Sequence, residues 1–431
     1  MTPLPMRRIV RTWWPLAASW MLMSVELPAI TAVIARLANP EIHLAAYGSI
    51  VFPIALIIES PIIMLLAAST ALSKDAPSYS RLRRFMMITS GSLTAVHILV
   101  AFTPIYDFVV TGILGAPSEI VEPARYSLMV MTPWTWSIAY RRFNQGLLIR
   151  FGPSRVVGLG TLVRLAANTG VLTAGYLIGV IPGAVVGATT AVAGVLSEAA
   201  YIGRRVRPVV QDQLLRAPIG EPALTFRSMM AFYVPLSMTS LIGLVAQPIG
   251  SAALGRMPLA LASLAVWPVI AGMSFFLRSI GVAYNEVVVA MLDEQGAVPN
   301  LRRFMVLLAT VTTIAWTLVV FSPVSRFWLE RALALTPELS GLAESWLWLL
   351  LPLPALAVLQ SWYQGILLHA RQTRGITEAV VIFLVLNTVI LWSGVAWGES
   401  SGLFVGLTAF TAGTVAQTLW LWHRSRSVVG G

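Results

Sequence analysis

Eight ionisable side chains lie inside segments that are otherwise apolar enough to cross a membrane. They are Glu26, Glu59, Arg141, Arg142, Arg164, Glu198, Arg278 and Glu286. On insertion scales each charge at the centre of a membrane helix costs roughly 2.5–3.5 kcal/mol. These groups must therefore pair, face water or lie near an interface. For Arg141, Arg142 and Glu198 snorkelling towards a helix end is an equally good interpretation.

The strongest candidates for a functional pair are Glu59 and Arg278. Their positions differ by 219 residues, and each is followed by Ser. If they occupy equivalent positions beside a shared cavity, the carboxylate and the guanidinium could gate it or bind a zwitterionic or anionic group. A structural ion pair between two halves is the alternative. Asn285 follows Arg278 by seven residues and falls on nearly the same helical face, flanked by Tyr284 and Glu286.

Two stripes of polar residues form a second group of candidate site residues. Arg141 and Gln145 stand at i and i+4, and Gln360 and Gln364 repeat that spacing at the same offset. Side chains four residues apart share one face of a helix. The stripes indicate the walls of a central polar cavity, and the alternative is hydrogen bonding that only holds helices together.

Gln247 and Glu26 join this candidate cavity because each lies beside a proline within an apolar segment, Pro248 and Pro28. Proline inside a helix frees a carbonyl and bends the chain. A carboxylate at such a bend could bind and release a coupling ion, H⁺ or Na⁺. A structural glutamate with its hydrogen bonds satisfied is an equally good interpretation of Glu26.

The composition requires a bilayer around these residues. The chain is 57% hydrophobic and only 11% charged, whereas soluble domains carry about 25% charged residues. Its length accommodates roughly a dozen spans of about 20 residues, and twelve apolar segments are predicted. Net charge is +11, with the basic residues concentrated at the N-terminus, in alternate loops and in the tail. This distribution places both termini in the cytoplasm of an inner (plasma) membrane, expected to be bacterial, and argues against nucleic acid as a partner.

An internal repeat divides the chain. Residues Leu82–Met86 and Leu301–Met305 both read LRRFM, and the offset of 219 continues without a gap over the next ninety residues. Two halves of six helices each enter from the same side, so the repeat is parallel. The predicted fold is an all-α polytopic membrane protein with twelve transmembrane helices in two pseudo-symmetric lobes. The lobes are 1–205 (helices 1–6) and 227–431 (helices 7–12), joined by a cytoplasmic linker, 206–226.

The sequence lacks the residue patterns of several catalytic, phosphate-binding and metal-binding sites. There is no cysteine, the four histidines are scattered without metal-ligand spacing, and neither a Gly-rich phosphate loop nor a Ser nucleophile elbow is present. We therefore expect no enzyme, no catalytic residue, no metal and no cofactor beyond a coupling ion. A membrane-embedded transferase is the alternative from another class.

The chain resembles the MATE-like (MOP) flippase superfamily, and within it the progressive-ankylosis (ANK) transporters and their bacterial relatives. The resemblance is carried by Trp14–Leu16, Leu44–Gly48, Gly146–Leu148, Val234–Leu236 and Gln247–Ile249, with Trp267–Val269. The family often has Arg where this chain has Gln247. The resemblance implies two six-helix lobes, alternating access, and export of small anions such as pyrophosphate, nucleotides or citrate.

The sequence thus predicts a monomeric secondary active transporter, expected to export a small organic or phosphorylated anion. A proton- or sodium-coupled multidrug exporter and a flippase for a lipid-linked substrate are the alternatives with the same fold. A small-molecule substrate and the lipid bilayer are the expected partners.

Overall fold

The computed structural model describes residues 5–151, 155–219, 223–292, 294–370, 372 and 374–429. Within these ranges all regular secondary structure is helical. The first half contains α1 Met6–Ser24, α2 Glu26–Ile34, α3 Pro40–Leu44, α4 Phe52–Ile63, α5 Leu65–Leu72, α6 Ala76–Phe102, α7 Ile105–Asp107, α8 Ser118–Val130, α9 Thr132–Phe151, α10 Arg155–Ile178 and α11 Gly183–Val209.

The second half repeats this series. It contains α12 Phe226–Leu254, α13 Ala260–Val282, α14 Tyr284–Met291, α15 Ala297–Val320, α16 Pro323–Arg326, α17 Pro337–Trp346, α18 Leu353–His369, α19 Arg374–Trp397 and α20 Gly402–Val429. Short π-helical segments are Ala45–Val51, Phe108–Ile113, Val210–Leu214 and Phe327–Ala332, and Leu347–Leu350 is a 3₁₀ turn.

The described helices account for most of the twelve predicted spans. Ten continuous helical stretches are long and apolar enough to cross a membrane, and an eleventh is the pair 337–350 and 353–369, bent by 43°. The remaining candidate is α8 with α9, which is interrupted by Arg141, Arg142 and Arg150. Because this stretch is the repeat equivalent of the bent pair, we keep it as the twelfth predicted span. The architecture is that of an all-α polytopic membrane protein.

The offset found in the sequence also relates the helices. Adding the offset of 219 moves both ends of α10 onto both ends of α19, and it moves the π-helical segment Phe108–Ile113 onto Phe327–Ala332. The starts of α8 and α11 move likewise onto those of α17 and α20. Backbone geometry, including a rare helix type, is therefore shared by the two halves at equivalent positions.

A glycine in each half explains one of the repeated sequence motifs. A Cβ added to Gly146 would lie 2.6 Å from the carbonyl oxygen of Leu66, and one added to Gly365 would lie 2.6 Å from Cγ1 of Val288. Real Cβ atoms do not approach so closely, so α9 crosses α5, and α18 crosses α14, only because glycine is present. The repeated Gln-Gly pair thus positions a polar side chain beside a tight helix crossing.

Breaks in the spans occur at equivalent places, although not always at proline. The second span of each half breaks at Met64 and at Ala283, which are related by the same offset. Pro61 precedes the first break by three residues, whereas no proline is near the second. The first span breaks at Val25, but α12 runs continuously through its two prolines. The helix is therefore interrupted near the proline of the first span and continuous in the seventh, and the predicted bends in these two spans stay a prediction.

Contacts divide the chain into two compact units. One, which we call the terminal unit, contains 1–35 and 253–431, and the other, the central unit, contains 36–252. In the terminal unit α1 and α2 pack on later helices: Trp13 donates to the carbonyl of Ile280 at 3.1 Å, and Arg8 pairs with Glu294 at 2.8 Å. In the central unit Tyr233 of α12 donates to the carbonyl of Pro61. The repeat-based lobes, 1–205 and 227–431, stay a prediction.

The predicted linker, 206–226, begins inside a helix. α11 extends to Val209 and continues as a π-helical segment to Leu214, while residues 220–222 lie outside the described residues. Arg204, Arg205 and Arg207 stand near the C-terminal end of this helix, where the helix dipole favours positive charge. The charged stretch therefore extends a helix where the sequence suggested a loop.

Candidate functional site

A pocket within the terminal unit brings together four of the ten predicted site residues. It has a volume of ≈ 330 Å³. Its lining is Trp20, Arg278, Val282, Asn285, Glu286, Ala357, Gln360, Ser361, Gln364, Leu368 and Ile376. The predicted members are Arg278, Asn285, Gln360 and Gln364. Polar groups thus converge on one cavity among membrane-spanning helices, which is the usual arrangement of a ligand site.

Arg278 provides the positive charge of the pocket. It lies on α13 and its guanidinium carbon is 5.5 Å from the centroid of the Phe410 ring. The Nε atom is buried and has no hydrogen-bond partner in the part of the chain that the structure describes. A guanidinium offers several fixed donors that suit a carboxylate or a phosphate. Arg278 is therefore the group in this pocket best suited to hold an anion.

Glu286 lies at the exposed rim of the same pocket. Trp20, on α1, donates through Nε1 to Oε1 of Glu286 at 3.4 Å. Arg278 and Glu286 are eight residues apart, which is about 12 Å along a helix, and the break at Ala283 lies between them. The cation and the carboxylate consequently lie at separate places in the pocket.

Amide side chains form a polar wall opposite α13. Gln360 donates through Nε2 to the Thr418 hydroxyl at 3.0 Å, and it also lies 3.3 Å from Oε1 of Gln417. Asn285 donates to the carbonyl of Ser361 at 3.3 Å. Gln364, one turn beyond Gln360, is half-buried at the pocket. The stripe predicted on α18 therefore serves two purposes, since Gln360 fastens α18 to α20 and Gln364 lines the cavity.

The equivalent stripe in the central unit is used for packing. Arg141 pairs with Glu198 at 2.6 Å, and Gln145 donates to the other oxygen of that carboxylate at 2.9 Å. Arg164 is 3.9 Å from the same group. Arg141, Gln145 and Glu198 are all buried. The structure thus shows a buried ion pair between α9 and α11 where snorkelling was one interpretation, and it does not bring Arg141 or Gln145 to the pocket.

Glu59 is also held within the central unit. Its carboxylate is buried and accepts a hydrogen bond from the indole Nε1 of Trp134. Arg141 and Arg142 are near enough to interact with it electrostatically. Glu59 and Arg278 belong to different units, and the ion pair between them stays a prediction.

The other three predicted residues lie apart from the pocket lining. Tyr284 is fully buried in the hydrophobic core, where its hydroxyl donates to the carbonyl of Leu301 at 2.7 Å. Gln247 is exposed on α12 in the central unit, and Glu26 is the half-buried first residue of α2. Tyr284 was predicted as a cavity residue because it neighbours Asn285, but adjacent helical residues point about 100° apart.

Four partners were missed at the sequence level. They are Trp20, Trp134, Gln417 and, as a partner of Arg141 and Gln145, Glu198. A signal for two of them was present, because Glu198 and Gln417 are related by the same offset of 219 as Arg141 and Gln360. Applying the repeat to every polar residue would have linked α9 to α11 and α18 to α20. The tryptophans gave no such signal, since aromatic residues are common at membrane interfaces.

The polar groups of the pocket suit an organic ligand. They are one guanidinium, one carboxylate, amides, a hydroxyl and an indole N–H. Among the residues described, no group of three or more His, Cys, Asp or Glu side chains could hold a metal ion. Charged and hydrogen-bonding groups of this kind position a polar solute.

Comparison with known proteins gives a fold. No family model matches the chain, and no curated protein matches it. Among solved structures, an inward-facing multidrug-resistance MATE family transporter of the MOP superfamily aligns with a TM-score of 0.73 at 14% identity, covering 94% of this chain and 96% of that one. The lipid II flippase MurJ in an inward closed conformation aligns at 0.67 and 14% identity, covering 95% and 87%.

A third structure is a MOP superfamily transporter from Pyrococcus furiosus, described as having a binding pocket of reverse polarity. It aligns with a TM-score of 0.63 at 17% identity, covering 99% of this chain and 97% of that one. The chain therefore has the MATE-like fold of the MOP superfamily over nearly its whole length. The predicted MATE-like fold is confirmed, and a nearest relationship to ANK-type transporters stays a prediction.

Proposed function

We propose that this protein is a secondary active transporter that exports a small organic or phosphorylated anion by alternating access. The observation that carries the proposal is Arg278, a largely buried guanidinium whose Nε lacks a hydrogen-bond partner among the described residues and which lines a polar pocket in a MATE-like fold. A buried charge is costly unless a partner compensates it. A bound anion would be that partner.

The first test identifies the ligand. Purified protein is screened by thermal shift against carboxylates, phosphate esters and cationic drugs, with and without sodium and across pH. Anions should raise the unfolding temperature, because a ligand that binds only the folded state stabilises it. A panel in which only cationic drugs stabilise the protein would favour the multidrug alternative.

The second test assigns the ligand to the pocket. In proteoliposomes loaded with a limiting concentration of the anion found by the screen, Arg278→Gln should strongly reduce flux. Arg7→Gln removes the same charge from an exposed position on α1 and should leave flux unchanged. Equal loss in both variants would indicate a general charge effect and would contradict the site assignment.

Coupling to an ion is part of the proposal. Glu26 starts α2 directly after the break at Val25, and α2 packs on α13, the helix that carries Arg278: Pro28 lies against Gly272. A carboxylate at this junction is well placed to bind H⁺ or Na⁺ during a change in helix packing. Glu26→Gln should remove uphill transport while leaving exchange of anion for anion intact. Loss of both activities would assign Glu26 a structural role.

A flippase for a lipid-linked substrate is the second candidate function, supported by the shared fold with MurJ. Such a substrate also presents phosphate groups, and Arg278 would bind them in the same way. A lipid-linked pyrophosphate that stabilises the protein when soluble anions do not would favour this candidate.

A further inference from the structure

A second cavity lies wholly within the central unit and shares no residue with the pocket that contains Arg278. Its volume is ≈ 240 Å³, below the roughly 300–1,000 Å³ typical of pockets for drug-sized ligands. Its polar lining is formed by Arg83, Arg207, Tyr79, Tyr140, Asn144 and Gln211. None of the described residues that line it is acidic. We call it the basic cavity.

The walls of the basic cavity are aromatic and its rim is cationic. Tyr79 stacks on Phe143 with ring centroids 5.9 Å apart, and Tyr140 stacks on Trp136 at 5.1 Å. Stacking fixes both tyrosines, so their hydroxyl groups are pre-positioned donors. Arg83, which interacts electrostatically with Tyr79, is exposed. Two guanidinium groups above fixed hydroxyl groups are a suitable receptor for a phosphate.

Comparison with the repeat shows that the two halves differ at one wall of this space. At the offset of 219, Arg83 and Arg207 correspond to Arg302 and Arg426, so both halves have the two arginines. Gly203, however, corresponds to Trp422, whose ring centroid lies 3.4 Å from the guanidinium carbon of Arg426. An aromatic ring therefore holds the arginine in one half, while glycine leaves the equivalent place open in the other.

Glycine at 203 is a requirement of the cavity. A Cβ at this position would lie 2.6 Å from the Tyr140 hydroxyl oxygen. Any larger residue would displace Tyr140 into the cavity or push α9 from α11. The tyrosine wall and the open space consequently depend on the same residue.

The basic cavity lies where two spans leave the apolar layer. Arg83 is in the first turns of α6 and Arg207 in the last turn of α11, and both helices belong to candidate spans. Arg81, Arg84 and Arg204 lie on the same two helices and are exposed. Basic residues at the ends of membrane helices lie at the depth of lipid headgroups and are attracted to anionic lipid.

We infer that the basic cavity binds the phosphate-bearing headgroup of an anionic phospholipid, with Arg83 and Arg207 on the phosphate and the hydroxyl groups of Tyr79 and Tyr140 beneath it. This site is separate from the pocket of Arg278. Lipid binding at the basic cavity therefore does not depend on the proposed transport function.

The test compares lipids on the full-length protein in a neutral detergent. Thermal unfolding, followed by tryptophan fluorescence, is measured with phosphatidylglycerol, with phosphatidylcholine, and with glycerol 3-phosphate or inorganic phosphate. Phosphatidylglycerol should raise the unfolding temperature, and the other additives should not. A full shift with glycerol 3-phosphate or inorganic phosphate alone would overturn the assignment to lipid, and an equal shift with phosphatidylcholine would overturn the assignment to an anion.

Two double variants with the same change in charge test whether phosphatidylglycerol binds in the basic cavity. The double variant Arg83→Gln/Arg207→Gln should weaken phosphatidylglycerol binding about ten-fold to a hundred-fold, as expected for the loss of charge-assisted hydrogen bonds. Arg84→Gln/Arg204→Gln changes charge by the same amount on the same helices, outside the lining, and should bind normally. Equal losses in both would show general surface attraction and overturn the site.

A milder substitution covers the case in which the double variant fails to fold. Arg207→Lys keeps the charge but removes the planar pair of donors. Affinity for phosphatidylglycerol should fall several-fold in this variant. Unchanged affinity, or an unchanged number of retained lipids by native mass spectrometry, would contradict a specific contact with Arg207.

Discussion

The two halves use one pair of equivalent positions in opposite ways. The repeat places Gln360 where the central unit has Arg141, and it places Gln417 where the central unit has Glu198. In the central unit the pair is a buried ion pair of 2.6 Å. In the terminal unit it is an amide contact of 3.3 Å supported by Thr418.

This difference indicates how one half of a duplicated fold can use charges for packing while the other half places a charge at a pocket. The charges of Arg141, Arg164 and Glu198 in the central unit are compensated among α9, α10 and α11, so they fix packing. The terminal unit has neutral groups at these positions, and the guanidinium of Arg278 lies on α13 at the pocket. The same contact between spans is made in both halves, as an ion pair in the central unit and as an amide pair in the terminal unit, and the pocket of the terminal unit contains the guanidinium of Arg278.

The largest expected effect comes from breaking the buried ion pair. Glu198→Gln leaves Arg141 buried without its carboxylate, which typically costs about 3–5 kcal/mol. Thermal or denaturant unfolding of purified protein should show this loss. The double variant Arg141→Gln/Glu198→Gln recreates the amide pair of the terminal unit and should recover most of the stability. Additive losses in the double variant would contradict coupling between the two residues.

A smaller effect is expected on binding from Arg278. Arg278→Gln should weaken the anion about ten-fold to a hundred-fold, because a charge-assisted hydrogen bond contributes about 1.5–3 kcal/mol. Titration of the anion against unfolding temperature measures the change. The unliganded protein should be at least as stable as before, since a buried charge with an unpaired nitrogen has been removed. Marked destabilisation without ligand would instead indicate that Arg278 is structural.

The smallest effect is expected from the amide pair. Gln417→Ala removes the partner of Gln360 and should cost about 0.6 kcal/mol, and no more than about 1.7, as side-chain hydrogen bonds between membrane helices do. The same unfolding assay checks it beside Glu198→Gln. A loss as large as that of Glu198→Gln would remove the contrast between the two halves.

The sequence predicted the spans and part of the site for a specific reason. A duplication preserves helix ends, so the offset of 219 located α19 from α10 and matched Gln364 to Gln145. Arg278, Asn285, Gln360 and Gln364 were found because charge and amides are costly in hydrocarbon and need a polar surface. All four line one pocket.

The remaining features depend on information that a repeat does not carry. A repeat records common origin, whereas the packing of α1 and α2 in the terminal unit depends on surfaces that meet only after folding. The choice between pairing and snorkelling for Arg141 depends on the rotation of α9 relative to α11. The sequence does not show which face of the helix meets the pocket either. Tyr284 lies in the core, whereas its neighbour Asn285 lines the pocket.

Because the chain contains no cysteine, labelling of introduced cysteines tests most directly whether the binding pocket is confined to the terminal unit. Gln364→Cys and Gln145→Cys introduce a thiol at equivalent positions of the two halves, and a charged, water-soluble thiol reagent reports which of them water and ligand can reach. We expect the thiol at 364 to react rapidly and to be protected by the transported anion, and we expect the thiol at 145 to stay unreactive. Rapid labelling at 145, or labelling at 364 that the anion does not change, would contradict a binding pocket confined to the terminal unit.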